Sequence, residues 1–399
     1  LVDGYRKSLE IAIDQINLDS TKIDDKKLLL VAETALTGKG TEGALDLFSS
    51  IIVKSLMSIS EKQPIPRAEN IAMFKSNAGN IHDSRIIQGV AFRRRVLMDS
   101  LPNKLSDVKV AVISGDIKIR KMTRTAEIQI TSADQLEAFV DAEQDRKNSI
   151  SQSLVDSGAS LVLCGGEIDR DILHNLVDNN ILAVGELDSS EIENSASATG
   201  AKIVDSIADI ERKDLGFCGS VLWERNEASD MVEDIIRIDG CKKPGLVTIE
   251  VGGAGEIATE EIIRGLHDGL RAVSLAIEDQ EILPGGGAIH SRIANAVRVS
   301  SESEPGRARL AMEAFSRAME TIPGALVENS GNDVLDSILE LRAATRNQEH
   351  FMGINENGKI SVIDRAWHPR AVITESLQLA CEATIGMLRI DQVISSRGD

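Results

Sequence analysis

Leu246-Val-Thr-Ile-Glu-Val-Gly-Gly-Ala-Gly-Glu-Ile-Ala258 separates two very different folds. Its first half, Leu246 to Val251, is an apolar, β-branched run of strand type. Gly253-Ala-Gly255 then opens a helix, and with Ala258 in third place the stretch matches the spacing of a dinucleotide-binding turn. That fold requires a second parallel strand after the helix, ending on an acidic residue. Here the helix runs into Ile282-Leu283-Pro284, then into Gly285-Gly286-Gly287 and a further helical pattern. The stretch is therefore read as a strand and a turn leading into a helical region, and nicotinamide or flavin chemistry is set aside.

Outward from that turn the chain changes texture on both sides. Beyond Gly255 it reads as helical almost to its end. Upstream come strand-like segments at Ser220 to Trp223 and Asp234 to Ile238. Before them lie Val108 to Ile113, Leu161 to Cys164, Ile181 to Val184 and Ile203 to Val204, separated by helical stretches in the manner of βαβ units. Further upstream, Gly4 to Ile16, Lys27 to Leu36 and Gly43 to Ser60 carry apolar residues at helix spacing, and Pro64 and Pro66 end that pattern. The order helical, α/β, helical suits one domain inserted into another. Ser132 and Gln135 form a capping-box pattern at the start of a helix expected to bury Leu136, Phe139 and Val140. From Asp141 to Ser149 that helix loses its apolar stripe, as a helix projecting into solvent would.

The 399 residues, 42% of them apolar and only 3% aromatic, suffice for two or three domains with aliphatic cores. A formal charge of −19 argues against nucleic acid or an anionic membrane as partner, because both are polyanions. The four cysteines, Cys164, Cys218, Cys241 and Cys381, lie far apart with no CxxC pair, as expected of small buried residues in a reducing cytoplasm. No run is long and apolar enough to cross a bilayer. The chain opens at Leu1 inside a helical pattern and reads as a piece whose natural start lies upstream.

Two features carry candidate chemistry. Gly285-Gly286-Gly287, between two helices, allows the backbone to approach a flat ligand closely, although a flexible connector shows the same pattern. Asp268 lies off the apolar stripe of Ile262, Ile263, Leu266, Leu270, Val273 and Ile277. It is either a solvated helix charge or a carboxylate facing a cleft, where it can orient a water. The six histidines form no pair spaced for a metal or a catalytic triad.

In order, the chain carries Gly4-Tyr-Arg-Lys7, Thr34-Ala-Leu-Thr-Gly-Lys-Gly40, Ile128-Gln-Ile-Thr-Ser132, Ala198-Thr-Gly-Ala-Lys202 and Asp214-Leu-Gly216. Gly240-Cys-Lys242, Leu283-Pro-Gly-Gly-Gly-Ala288, Ile322-Pro323, Leu341-Arg-Ala-Ala344 and Leu388-Arg-Ile-Asp391 follow. This ordered set resembles the group II chaperonins, the archaeal thermosome and its eukaryotic cytosolic relatives. The resemblance implies an α+β multidomain fold: an all-helical equatorial domain (1–33 and 287–399), a small intermediate hinge domain (34–101 and 252–286) and an α/β apical domain (102–251) whose helical protrusion, at about 117–150, serves as a lid. It further implies a double ring that encloses unfolded polypeptide and is driven by ATP with Mg²⁺. Asp268 would activate the attacking water. Gly285, Gly286 and Gly287, with Asn329, Gly331 and Asp333 of Asn329-Ser-Gly-Asn-Asp333, and with Asp364, would line the nucleotide pocket.

Three departures from the family pattern stand out. The family's glycine/threonine phosphate loop and a further metal-site aspartate have no counterpart here, so ATP binding and turnover by this chain are expected to be weak. His368 and Ile373 stand where the family has a glutamate and a lysine at the ribose, and His290 stands where a glutamate usually follows the glycine triplet. These changes also fit a ring component or holdase that kept the shape and lost the ATP cycle.

Overall fold

The first stretch is helical, as its periodicity requires. α1 (Val2–Asp19) buries Ala12 and Ile16, and after the short β1 (Thr21–Lys22) α2 (Asp25–Leu36) begins on Asp24, whose carboxylate accepts from the Lys27 amide. α3 (Leu45–Ile59) buries Phe48, Ile52 and Leu56. In this computed structural model, residues 1–60, 65–76, 79–96, 103–119, 133–207, 210–226, 233–253, 255–346 and 350–390 are described.

The central part runs β2 (Ile71–Lys75), β3 (Arg85–Ile87), β4 (Val90–Arg93), β5 (Lys104–Ile113), α4 (Ala133–Ser157), β6 (Leu161–Cys164), α5 (Arg170–Asp178) and β7 (Leu182–Val184). It continues with α6 (Ser189–Thr199), β8 (Ile203–Val204), β9 (Gly216–Asn226), β10 (Glu233–Asp239) and β11 (Val247–Val251). The last part is α7 (Glu256–Asp279), β12 (Glu281–Pro284), α8 (Ala288–Ser301), α9 (Arg307–Asn329), α10 (Val334–Thr345), β13 (Met352–Ile354), β14 (Ile360–Val362), β15 (Trp367–Pro369) and α11 (Arg370–Leu388). Contacts divide the chain into one unit of residues 1–53 and 260–399 and another of residues 54–259.

In the central unit a seven-stranded sheet has the order β4-β10-β9-β5-β6-β7, with β8 also on β5. β5, β6 and β7 run parallel, and β6, β7 and the last four residues of β5 are buried on both faces, which is why they read as continuous apolar runs. Strand alternation sends Val110, Val112, Leu161 and Leu163 to one core with Ile192 of α6. Ala111, Ile113, Val162 and Cys164 go to a second core with Leu154 of α4 and Leu173 of α5. A separate three-stranded sheet, β2-β11-β3, is tied to the larger one by the buried Arg237–Glu250 pair at 2.7 Å.

α4 corrects one expectation. Phe139 and Val140 are 47% and 55% exposed, because no described element packs over that end of the helix. Contact begins further along, where Lys147 reaches Asp171 (2.7 Å) and Asp169 (3.3 Å) at the start of α5, and continues to the buried Leu154. Apart from half-buried Lys147, the polar tract Asp141 to Ser149 is exposed. Ser132 of the capping-box pattern lies outside the described residues, as does the Leu136 side chain.

The other unit is mainly helical. Ala12 and Ile16 of α1, Ile293 and Val297 of α8, Met312 and Phe315 of α9, and Ile373 and Leu377 of α11 share one core. Gly4 brings α1 against α9: a β-carbon there would lie 2.5 Å from the Ala308 carbonyl oxygen. Glu320 of α9 bonds Arg298 of α8 and Arg342 of α10, locking three helices through one buried carboxylate. The region beyond Gly255 is not wholly helical. β12 pairs antiparallel with β1 and β15, and β13 with β14. Strands of three or four residues lack the length to show a period.

Candidate functional site

β12 and β15 build the wall of a cavity in the helical unit. Their register sets Leu283 opposite His368 and Pro284 opposite Trp367, and the glycine triplet begins where the ladder ends. The Gly285 amide donates to the Ala366 carbonyl (2.8 Å), and the Ile354 amide donates to the Gly286 carbonyl (2.7 Å). Gly286 and Gly287 have φ of 58° and 72°, the left-handed region that glycine adopts without strain. Close approach is required as well as turning. A β-carbon on Gly287 would lie 2.6 Å from Cβ of Pro323, and one on Gly286 2.7 Å from the Ile354 carbonyl oxygen.

The cavity holds about 710 Å³, enough for a ligand of nucleotide size. Ile322, Leu326, Ile354 and Ile363 give it apolar walls, and Asn355 and Asp364 add polar groups. α2 contributes Glu33 and Thr34, and its C-cap residue Thr37 follows; Thr34 Oγ1 accepts from the Trp367 amide (3.0 Å), joining α2 to β15. Gly285, Gly286, Gly287 and Asp364 thus line one cavity. Asn329, Gly331 and Asp333 do not line it. They are exposed, and Asp333 caps α10 by accepting from the Asp336 amide. Asn332, between them, donates to the carbonyls of Asn357 (3.2 Å) and Gly358 (3.4 Å), so their segment braces the β13–β14 turn at the rim.

Asp268 also lies outside the cavity lining, on α7 between Gly265 and Gly269. A β-carbon on Gly265 would sit 3.1 Å from Thr41 Cγ2, and one on Gly269 2.5 Å from Ile52 Cδ1. The two glycines let this face of α7 press close to the loop after α2 and to α3. The half-exposed Asp268 carboxylate meets Lys39 Nζ at 2.5 Å. Lys39 is two residues beyond Thr37, so one short loop runs from the cavity wall to Asp268. Among the described residues no group of three or more His, Cys, Asp or Glu is placed to hold a metal ion.

Periodicity and spacing assigned no functional weight to His290 and His368, yet both line the cavity. Burial, and then the neighbouring His368, pushes the His290 imidazole down to about 4, and burial also holds His368 below the usual histidine range. His290 Nδ1 is shut off from solvent and has no hydrogen-bond partner among the described residues. The signal available in the sequence was a histidine at two positions where the family resemblance implies a glutamate.

A stability consequence follows. Below pH 6.5 the unfolded chain protonates His290 readily, whereas the folded chain resists until about pH 4. Stability from this residue is therefore complete above pH 6.5 and falls on acidification, by about 2 kcal/mol between pH 7 and pH 5. Urea unfolding at both pH values should show that loss in the native chain and markedly less in His290→Gln. An equal loss in both would remove His290 as the source.

The cavity behind the glycine turn thus belongs to the helical unit, whose two chain segments, 1–53 and 260–399, flank the α/β unit in sequence. Residues 1–397 match the profile of the TCP-1/cpn60 chaperonin family, and the chain belongs to it. It is 32% identical to the thermosome subunit beta of Archaeoglobus fulgidus over 407 residues, covering 100% of this chain and 74% of that relative. The thermosome subunit beta of Methanothermobacter thermautotrophicus is 34% identical over 399 residues, covering 98% and 73%. Among solved structures, the open-state monomer of a group II chaperonin from Methanococcoides burtonii matches with a TM-score of 0.65 and 26% identity, over 98% of this chain and 92% of that one. The α+β multidomain chaperonin fold expected from the sequence is the fold observed.

Proposed function

We propose that this chain is a subunit of an ATP-dependent, double-ring folding chamber for unfolded polypeptide, with its nucleotide in the cavity behind Gly285–Gly287. The observation that carries the site is the convergence of the glycine turn, Asp364 and the apolar α9 side chains on one cavity of about 710 Å³. Ile322, Leu326, Ile354 and Ile363 would enclose a flat base, while Asn355 and Asp364 offer hydrogen bonds to its polar edge or sugar. Hydrolysis of bound ATP supplies the free energy of the cycle. Asp268 would accept the proton of an attacking water, or orient that water, once Lys39 shifts from its carboxylate. Asn329, Gly331 and Asp333 would act from the rim. The described residues present no metal-ligand set, so no step is assigned to Mg²⁺.

Residues 1–33 and 287–399 would be the equatorial domain, 34–101 and 252–286 the intermediate domain, and 102–251 the apical domain with its lid. No helix among the described residues is long and apolar enough to cross a membrane. Four buried thiols suit a cytoplasmic location.

Calorimetry with ATP should show saturable binding. Asp268→Asn should leave that affinity within about threefold and depress any turnover by about 10²–10⁴-fold. The Lys39–Asp268 pair favours a second reading, a non-hydrolysing ring component, because it neutralises the carboxylate. That reading expects suppression of client aggregation with or without ATP, and no change in Asp268→Asn. Absence of any saturable nucleotide binding would remove the pocket assignment.

A further inference from the structure

We propose that His290 and His368 make ligand binding in this cavity proton-linked, an anionic nucleotide drawing a proton onto the pair as it seats. The inference rests on the nucleotide reading of the cavity and extends it to regulation of the same site.

Both imidazoles line the cavity and are near neighbours. His290 is in the first turn of α8, directly after the glycine triplet, and His368 is on β15 opposite Leu283 of β12. Gly285 makes room for the second ring: a β-carbon there would lie 3.1 Å from His368 Nε2. His290 Nδ1 is buried and lacks a partner among the described residues, an incomplete hydrogen-bonding position of the kind a ligand completes.

In the empty cavity everything near the pair favours its neutral form. Burial disfavours a charge, each ring disfavours a charge on the other, and the α8 N-terminus adds its positive end to His290. The charged groups lining the cavity are Glu33 from α2, Glu356 from the β13–β14 turn, and Asp364 and Arg365 from the segment before β15. α9 contributes Ile322 and Leu326, which carry no charge. Arg365 lies 3.9 Å from Glu33, leaving Glu356 and Asp364 as excess negative charge with the histidines neutral. A phosphate-bearing ligand entering that lining meets repulsion unless a positive charge forms. Its negative charge, and any acceptor it places at His290 Nδ1, both favour the imidazolium. Binding and proton uptake therefore reinforce each other, and affinity rises as pH falls from 8 toward 6.

The test is titration calorimetry of the full chain with ADP at pH 7 in two buffers of different ionisation enthalpy. It is run on the native chain and on His290→Asn/His368→Gln. Subtracting the variant cancels the proton that ADP itself releases. Expected is a native excess uptake of about half a proton or more per ADP, with affinity rising roughly tenfold or more from pH 8 to pH 6 in the native chain relative to the variant. Saturable binding with equal proton uptake in both proteins overturns the linkage and leaves the nucleotide reading intact. No saturable binding by the native chain overturns both. Should the variant fail to fold, ¹H–¹⁵N titration of the native imidazoles decides instead: pKa values unchanged by saturating ADP overturn the linkage.

Discussion

Replacing Gly287 by valine should remove most of the stability of the helical unit and abolish ligand binding in its cavity. Two independent costs add. At φ of 72° a β-branched residue is held in a conformation that costs of order 1–3 kcal/mol. Its β-carbon would also lie 2.6 Å from Cβ and 2.9 Å from Cα of Pro323, inside α9, where helix backbone and a fixed ring leave little room to move. Relief requires α9 to withdraw from the start of α8, opening the core that contains Ile293, Met312 and Phe315. The combined loss is expected to be about 4 kcal/mol or more by urea unfolding. Gly331→Ala is the control. Gly331 has φ of 73°, but a methyl group there would meet no atom within 4 Å, so only the conformational cost, about 1 kcal/mol, remains. Similar losses in the two variants would show that packing against Pro323 is not what the glycine serves.

The glycine triplet shows how far the sequence could be read. Its composition announced a close approach, and the approach to a ligand pocket is what the family resemblance implied. What it could not announce is that each glycine first approaches its own chain, at Ala366, Ile354 and Pro323, between 36 and 81 residues away. The parallel strands β5, β6 and β7 were legible because burial on both faces enforces continuous apolar runs. β12 and β15 were not, because each has too few residues for a period and β15 ends in a proline. Asp268 was separable from the core by helix spacing alone, yet its partner Lys39 lies 229 positions away, and only the fold joins them. Phe139 and Val140 were misread because apolar spacing on a helix implies a partner face, and no described element supplies one. The histidine pair needed three dimensions: His290 and His368 are 78 positions apart, and their proximity follows from the β12–β15 register.

Arg237→Met should destabilise the central unit by about 3–5 kcal/mol, more than the loss of an exposed ion pair would. Arg237 Nε lies 3.1 Å from both carboxylate oxygens of Glu250, and Nη2 lies 2.7 Å from Oε1, across the junction of the two sheets. Nη1 reaches Glu224 at 2.6 Å, and Arg85 reaches the other side of Glu250 at 2.8 Å. Glu250 is nearly inaccessible, so removing Arg237 leaves a buried carboxylate with the half-exposed Arg85 as its remaining cation. Burial alone would raise the Glu250 pKa, but the hydrogen bonds from Arg237 and Arg85 outweigh it and hold the carboxyl below its ordinary value. A carboxylate depressed in this way stabilises the fold above the ordinary glutamate range and loses that contribution as pH falls through its folded value. In Arg237→Met the direction should reverse, with Glu250 taking up a proton more readily than in the unfolded chain and the variant closing part of its deficit as pH falls toward 4.5. Arg237→Met/Glu250→Met should recover most of the lost stability, because an apolar pair of similar volume leaves no charge uncompensated. Urea unfolding at pH 7 distinguishes the outcomes. A double variant no more stable than Arg237→Met would mean that the penalty is lost packing at the sheet junction and that the buried charge contributes little.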